Sequence, residues 1–185
     1  MSADDERHLI SRARDGSHEA FRVLVEQHMK QAYNVAFGFV RDHDAAADVT
    51  QEAFVRAHHG LGGFHGEAGF ATWLHRIVMN LAMNRVKNDR ARAEKHVDLD
   101  HPSAARAGKE PEFGHREETR AHIERALHEL PTLQRAVVIL RHLDGLSTRQ
   151  VSVILRCSEG TVKTHLFRGL KNMRERLHFL EADLA

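Results

Sequence analysis

In the segment "DAAADVTQEAF", Asp48, Gln51 and Glu52 stand at i, i+3 and i+4, so they share one face of a helix while Val49, Ala53 and Phe54 turn inward. Two carboxylates on one face could serve acid–base catalysis or hold a metal. Neither has a histidine or a second acidic pair at ligand spacing. The sixteen histidines raise the same question. His58, His59, His101, His115 and His122 form no i, i+4 pair, and His18 with His28, or His122 with His128, would not aim both rings at one ion. Cys157 is the sole cysteine, which excludes an internal disulfide framework and reads as a small buried residue rather than a sensor thiol. The sequence therefore predicts no catalytic residue, no metal and no cofactor. Its polar groups are suited to recognition.

Two stretches carry that recognition. "GLGGFHGEAGFATWLHRIVMN", Gly60 to Asn80, gathers five of the twelve glycines and the sole tryptophan, a glycine-rich loop feeding straight into a Trp-led helix. "LSTRQVSVILRCSEGTVKTHLFRGL" has the spacing of a helix-turn-helix. Ser147 and Gln150 make a capping box, Val151 and Ile154 face inward, "RCS" turns the chain and Ser158 caps the next helix. Val162 and Leu166 lie on the buried side of that second helix, which leaves Lys163, Thr164, Phe167 and Arg168 where base edges and phosphates could be met. Between Ser147 and Leu177 seven basic residues face two acidic ones, an electrostatic footprint for a phosphate backbone. A helical hairpin with a solvated basic face is the plainer alternative for this unit. The whole-chain balance, 27 Lys+Arg against 26 Asp+Glu, says nothing about nucleic acid; the local excess does.

The elements that must position these groups are all helical. Apolar residues recur at helical spacing and no run alternates as a strand would, so the fold class is all-α, in two small domains. In the first, helices are expected over 19–40, from Ala45 to about His59 with Asp44 as N-cap, and from about Thr72 until the pattern frays in "VKNDRARAEK". The first domain is thus bounded as 1–96. Residues 97–116 carry two of the three prolines and no apolar stripe and read as a linker. A second domain, 117–185, follows with helices near 117–130, 131–143, 147–155 and 158–180. The acidic start "MSADDERHLI" is not a signal sequence, and no run approaches the roughly 18 apolar residues of a membrane span. A soluble, cytoplasmic protein with no direct membrane insertion is the expectation.

"DVTQEAF", "FHGEAGFATWLHRIVMN", "ALHELPTLQRAVVILRHLDGLS" and "GTVKTHLFRGL" occur in the order and spacing of the extracytoplasmic function (ECF) sigma factors, the small two-domain branch of the sigma-70 family. The chain resembles them from about Leu9 to Leu177, most closely the sigma-E-like members. The resemblance implies that the first domain (region 2) binds core RNA polymerase and the promoter −10 element, and that the second (region 4) reads the −35 element. Asp48, Gln51, Glu52 and Arg56 would then meet the β′ clamp helices. The loop around Gly66 and Ala68 would close over a nucleotide flipped from the non-template strand, walled by Phe64 and Phe70, with Trp73 anchoring the loop and Asn80 and Asn84 bonding unstacked bases. Arg76 and a run that includes Lys87 would track phosphates. Arg149, Ser158, Thr161, Lys163, Thr164, His165, Phe167, Arg168 and Lys171 would contact −35 DNA, and the apolar surface around 130–143 would seat the β flap. An anti-sigma factor is implied as a further partner. The chain departs from the family at Ala46 and Ala47, where acidic residues are common, and at His165 and Gly169-Leu170 in the recognition helix. A competing reading is an autonomous helix-turn-helix regulator with an N-terminal dimerisation or sensor module, which would have no need of the glycine loop or the polar Asp48 face.

Overall fold

The computed structural model describes residues 3–66, 68–96 and 115–182; the expected linker lies almost wholly outside them. The described residues are helical, with no strand among them. Helix α1, Ala3–Arg14, was not legible as an element. It opens on Asp4, Asp5 and Glu6 and closes on Arg12 and Arg14, the charge order that complements a helix dipole. Gly16, at a φ of +94°, turns the chain, and Ser17 caps α2, His18–Val40, by accepting from the Ala20 amide. Helix α2 stops at Arg41, which takes a left-handed conformation, φ 54°. The next cap is Asp42, not Asp44: its carboxylate accepts from the Ala45 amide at 2.7 Å and starts α3, His43–Gly60, two residues earlier than the apolar pattern suggests.

A single 3₁₀ turn, Leu61–Gly63, leads through the glycine loop to α4, Phe70–His96, which continues through the segment expected to fray. Leu24, Val35, Ala36 and Phe39 of α2, Ala46, Ala53 and Ala57 of α3, and Phe70, Leu74, Val78 and Met79 of α4 form the core of this first bundle. Its alanines let α2 and α3 approach closely, in the manner of small residues at helix crossings.

The second half comprises α5, His115–His128; α6, Thr132–Val138, continued as a π turn over Ile139–Leu143; α7, Thr148–Leu155; and α8, Glu159–Ala182. Its core is Leu127, Leu130, Val137, Leu140, Val151, Ile154 and Val162. Gly169 belongs to that core. A Cβ there would meet Val138 Cγ2 at 2.8 Å, so the glycine lets α8 lie against α6. The departure at 169 is therefore a matter of packing and lies off the exposed basic face of α8.

The two halves are packed together. Helix α4 lies on α7, and α2 on the π turn and α5. Ile139 fills the notch above Gly38, where a Cβ would stand 3.1 Å from its Cδ1. The Arg135 guanidinium sits over the Phe39 ring, 4.8 Å from its centroid. The expectation of an open apolar seat over 130–143 is corrected: Val137, Val138 and Leu140 are buried within the second half, Ile139 is buried against Gly38, and Leu133 and Leu143 remain exposed.

Candidate nucleic-acid interface

The glycine loop owes its shape to what lies beneath it. Gly60 is in contact with the Trp73 ring, 3.4 Å from where a Cβ would stand, and Trp73 packs on Phe64 and Phe70 with ring centroids 5.1 and 5.7 Å away. Trp73 is thus an anchor, as expected. Gly62, Gly63 and Gly69 have open space where a side chain would project, and Gly66 takes a φ of +75° that a side chain would strain. Beside this backbone is a cavity of about 420 Å³, with Phe64, Gly66, Ala68, Thr72, Trp73 and Arg76 in its lining, a size in the ordinary range for small-ligand sites. Phe70 does not line it. Its ring is fully buried against Phe64, Trp73 and His28, because as the first residue of α4 it points into the bundle; the expectation that Phe70 walls the pocket is corrected.

Asn80, Asn84 and Lys87 are exposed further along α4. Asn84 opens onto a separate cleft of about 570 Å³ between α3 and α4, together with Asp48, Gln51, Glu52 and Arg56. The face expected to meet polymerase and one residue expected to meet DNA therefore share a wall. On that face Asp48, Gln51, Glu52 and Arg56 are all exposed, and Arg56 Nε donates to Glu52 at 2.7 Å. The pairing leaves Asp48 as the charge the stripe presents. Of the two alanines that replace acidic residues, Ala46 is fully buried and Ala47 exposed, so only position 47 could have added surface charge.

The helix-turn-helix forms as its spacing dictates. The Gln150 amide donates to Ser147 Oγ at 3.2 Å, and Gln150 Oε1 accepts from the Ser147 amide at 2.8 Å, closing the capping box. Arg156 in the left-handed region ends α7, and the Thr161 amide donates to Ser158 Oγ at 3.0 Å to start α8. Val162 is buried, while Lys163, Thr164, Phe167, Arg168 and Lys171 are exposed on one side, Phe167 at 71%. An aromatic side chain left so bare on a basic helix face has an apolar surface to offer a thymine methyl. His165 lies at the edge of this face, half-buried, with Nδ1 unpartnered inside. Arg149 is exposed on α7 and, with Gln150 and Val153, lines the glycine-loop cavity.

The sequence reading missed one pair. His75 of α4 and Asp144, which follows the π turn, are both almost fully enclosed, and Nε2 lies 3.1 Å from Oδ2 without hydrogen-bond alignment. Burial, with His28 nearby, lowers the His75 pKa to about 4; burial raises that of Asp144 to about 6. His75 sits among Leu74, Val78 and Met79 on the inward stripe of α4, and a histidine on an apolar stripe was the available signal.

Comparison with known proteins agrees with this geometry. Residues 24–92 match the family model of sigma-70 region 2, and residues 120–173 that of sigma-70 region 4. The chain is 31% identical to the RNA polymerase sigma-H factor of Pseudomonas aeruginosa over 177 residues, 91% of this chain and 92% of the relative. It is 33% identical to the ECF RNA polymerase sigma-E factor of Escherichia coli K12 over 169 residues, 87% and 88% of the two chains. Among solved structures, the fold is similar to CnrH in its complex with the cytosolic domain of CnrY (TM-score 0.70, 23% identity, 97% of this chain and 99% of that one). It is also similar to the sigma factor RpoE of Bartonella quintana, solved with the anti-sigma factor NepR (TM-score 0.68, 20% identity, 85% and 96%). The matched regions contain the glycine loop, the Asp48 face and the basic recognition helix, and the chain belongs to the ECF branch of the sigma-70 family of RNA polymerase sigma factors.

Proposed function

We propose a residue-level division of labour for this sigma factor. The first domain, 1–96, docks on the β′ clamp helices through Asp48, Gln51, Glu52 and Arg56 and takes the −10 element. Phe64, Gly66 and Ala68 receive a flipped base, while Arg76, Asn80, Asn84 and Lys87 follow the strand. The second domain, 117–185, reads the −35 element with Lys163, Thr164, Phe167, Arg168 and Lys171, aided by the α8 N-terminus at Ser158 and Thr161. Residues 97–116 tether the two, so that binding of one element raises the effective concentration of the other domain at its own. Leu133 and Leu143 are the exposed apolar residues left to meet the β flap. No step needs a catalytic residue, and the work is done in the cytoplasm, where core polymerase is. A soluble or membrane-linked anti-sigma factor is the natural antagonist, a partner type with which related folds have been solved.

The observation that carries this reading is the exposed basic face of α8 with Phe167 bare upon it, in a chain whose other half holds an open glycine-loop cavity. Asp48→Arg tests the docking face. Reversing its one unpaired charge against a basic partner should weaken binding to core polymerase by tenfold or more, on the order of 1.4 kcal/mol, with helix content unchanged. Core affinity equal to that of the original chain would remove Asp48 from the interface.

A further inference from the structure

The glycine-loop cavity offers more than room for one base. Its walls come from the loop, from the first turns of α4, and from α7, which supplies Arg149, Gln150 and Val153. The α7 residues have no part in the −10 reading proposed above, yet they complete the chemistry of the site. The polar groups that reach it are donors. Thr72 is 3% exposed, and its hydroxyl proton goes to no described residue; its Oγ1 only accepts a long hydrogen bond from Gln150 Nε2, at 3.5 Å. Gln150 Oε1 is already held by the Ser147 amide and hydroxyl, each at 2.8 Å, so this side chain too is left with protons to give. Arg76 comes from α4 and Arg149 from α7, and neither guanidinium has a carboxylate partner among the described residues. No described lining residue is acidic.

Such a lining selects its ligand by chemistry. Two uncompensated guanidinium groups repel a cation. A purely apolar molecule would leave Thr72 and Gln150 without acceptors, at the cost of an unmet hydrogen bond for each. A bare anion would leave the half-buried ring of Trp73 and the side chain of Val153 uncovered. An anion that carries a flat ring rich in acceptors satisfies all of them. Its phosphate accepts charge-assisted hydrogen bonds from the arginines, its ring stacks on the indole, and its carbonyl oxygens or ring nitrogens accept from Thr72 and Gln150. The volume, about 420 Å³, is that of a small-molecule site.

We propose that the cavity is a binding site for a free nucleoside monophosphate, with the base on Trp73, its acceptor edge toward Thr72 and Gln150, and the phosphate between Arg76 and Arg149. A nucleotide seated there fills the space assigned above to the flipped base, so free ligand and −10 strand exclude each other. That consequence rests on the −10 reading, whereas binding rests on the cavity alone. A nucleotide within a single strand presents the same chemistry, and the arms of the test separate the two sources.

Trp73 is the sole tryptophan, so its emission reports on this site alone. The full chain is titrated with the 5′-monophosphates of adenosine, guanosine, cytidine and uridine, and in parallel with the nucleosides and with inorganic phosphate at matched ionic strength. Equilibrium dialysis of the same ligands detects any that bind without altering emission. At least one monophosphate should bind saturably, with its nucleoside and inorganic phosphate each weaker on the order of tenfold or more. Arg76→Ala and Arg149→Ala should each weaken that binding on the order of tenfold, with helix content unchanged. Affinity indifferent to both substitutions, inorganic phosphate binding as tightly as the monophosphates, or no monophosphate bound by either method would overturn the site. In the last case a single-stranded oligonucleotide that still alters Trp73 emission would assign the cavity to a strand only, and the −10 reading would stand. A chain that binds the monophosphate yet never programmes core polymerase would instead refute the proposed function and leave the site standing.

Discussion

At the scale of single residues, His75 and Asp144 show how a buried pair can leave stability nearly independent of pH while each partner alone is sensitive to it. In the folded chain burial keeps a proton on Asp144 up to about pH 6, whereas its ordinary value is 3.8. Its contribution to stability is therefore full below about 4 and lost as pH rises through about 6. His75 has the opposite sign. Its ordinary value is 6.5 and its folded value about 4, so its contribution is full above 6.5 and lost as pH falls toward 4. The two slopes oppose each other between about pH 4 and 6. The other titratable group acting on His75 is His28 of α2, which Glu6 of α1 holds at 3.1 Å. The thermal midpoint of the full chain should thus be nearly flat with pH over that window as far as this pair is concerned. Asp144→Asn should lose stability on acidification, and His75→Leu should lose it as pH rises through about 6; equal slopes in both variants would contradict the assignment. On the basic face of α8, if it meets phosphates as proposed, Lys163→Ala should weaken duplex binding about equally on all sequences and reduce the salt slope by about one, as read in titrations at several salt concentrations. The exposure of Lys163 and Phe167 was legible because it follows from helical phase: Val162 and Leu166 fix which way they point. His75 was not, because its partner is 69 residues away in sequence and no local pattern relates them.

At the scale of elements, the caps and turns were legible where the chemistry is local. The Ser147–Gln150 box and the Ser158 cap formed as their spacing required. Ser147→Ala should cost about 1 kcal/mol of stability, seen as a lower denaturation midpoint with the transition slope unchanged. The miss at Asp42 against Asp44 is of another kind. Both can cap, and the choice falls to the one that the left-handed turn at Arg41 delivers in extended conformation. Helix α1 went unread because its apolar stripe is short, Leu9, Ile10 and Ala13, and takes its stability from packing on α2. Gly169 offers a prediction against propensity. Glycine to alanine inside a helix ordinarily gains about 1 kcal/mol, but the added methyl would stand 2.8 Å from Val138. Overpacking of this kind costs about 1–3 kcal/mol, so Gly169→Ala should lower the melting temperature; a rise would mean that α6 and α8 separate freely.

At the scale of the whole molecule, the all-α fold and the family were legible because four motifs keep their order along the chain, and the family models fall on the same two segments, 24–92 and 120–173. The arrangement of the halves was not. The segment around Ile139 read as an apolar surface awaiting a partner, and the partner proved to be the chain itself: Val138 packs against α8 at Gly169 and Ile139 against α2 at Gly38, choices that depend on shape and not on hydropathy. The glycine loop followed the same rule: its openness was readable, the part of its lining that Arg149, Gln150 and Val153 of α7 supply was not. The most direct measurement is run-off transcription from a pool of promoter fragments by core RNA polymerase, with and without this chain, beside a mobility shift of the chain alone on the same fragments. Initiation that depends on the chain, at start sites placed by paired upstream elements, is the result predicted here. Sequence-specific retention of duplex by the chain alone, with no initiation at any ratio of chain to core, would contradict it and leave an autonomous helix-turn-helix regulator in its place.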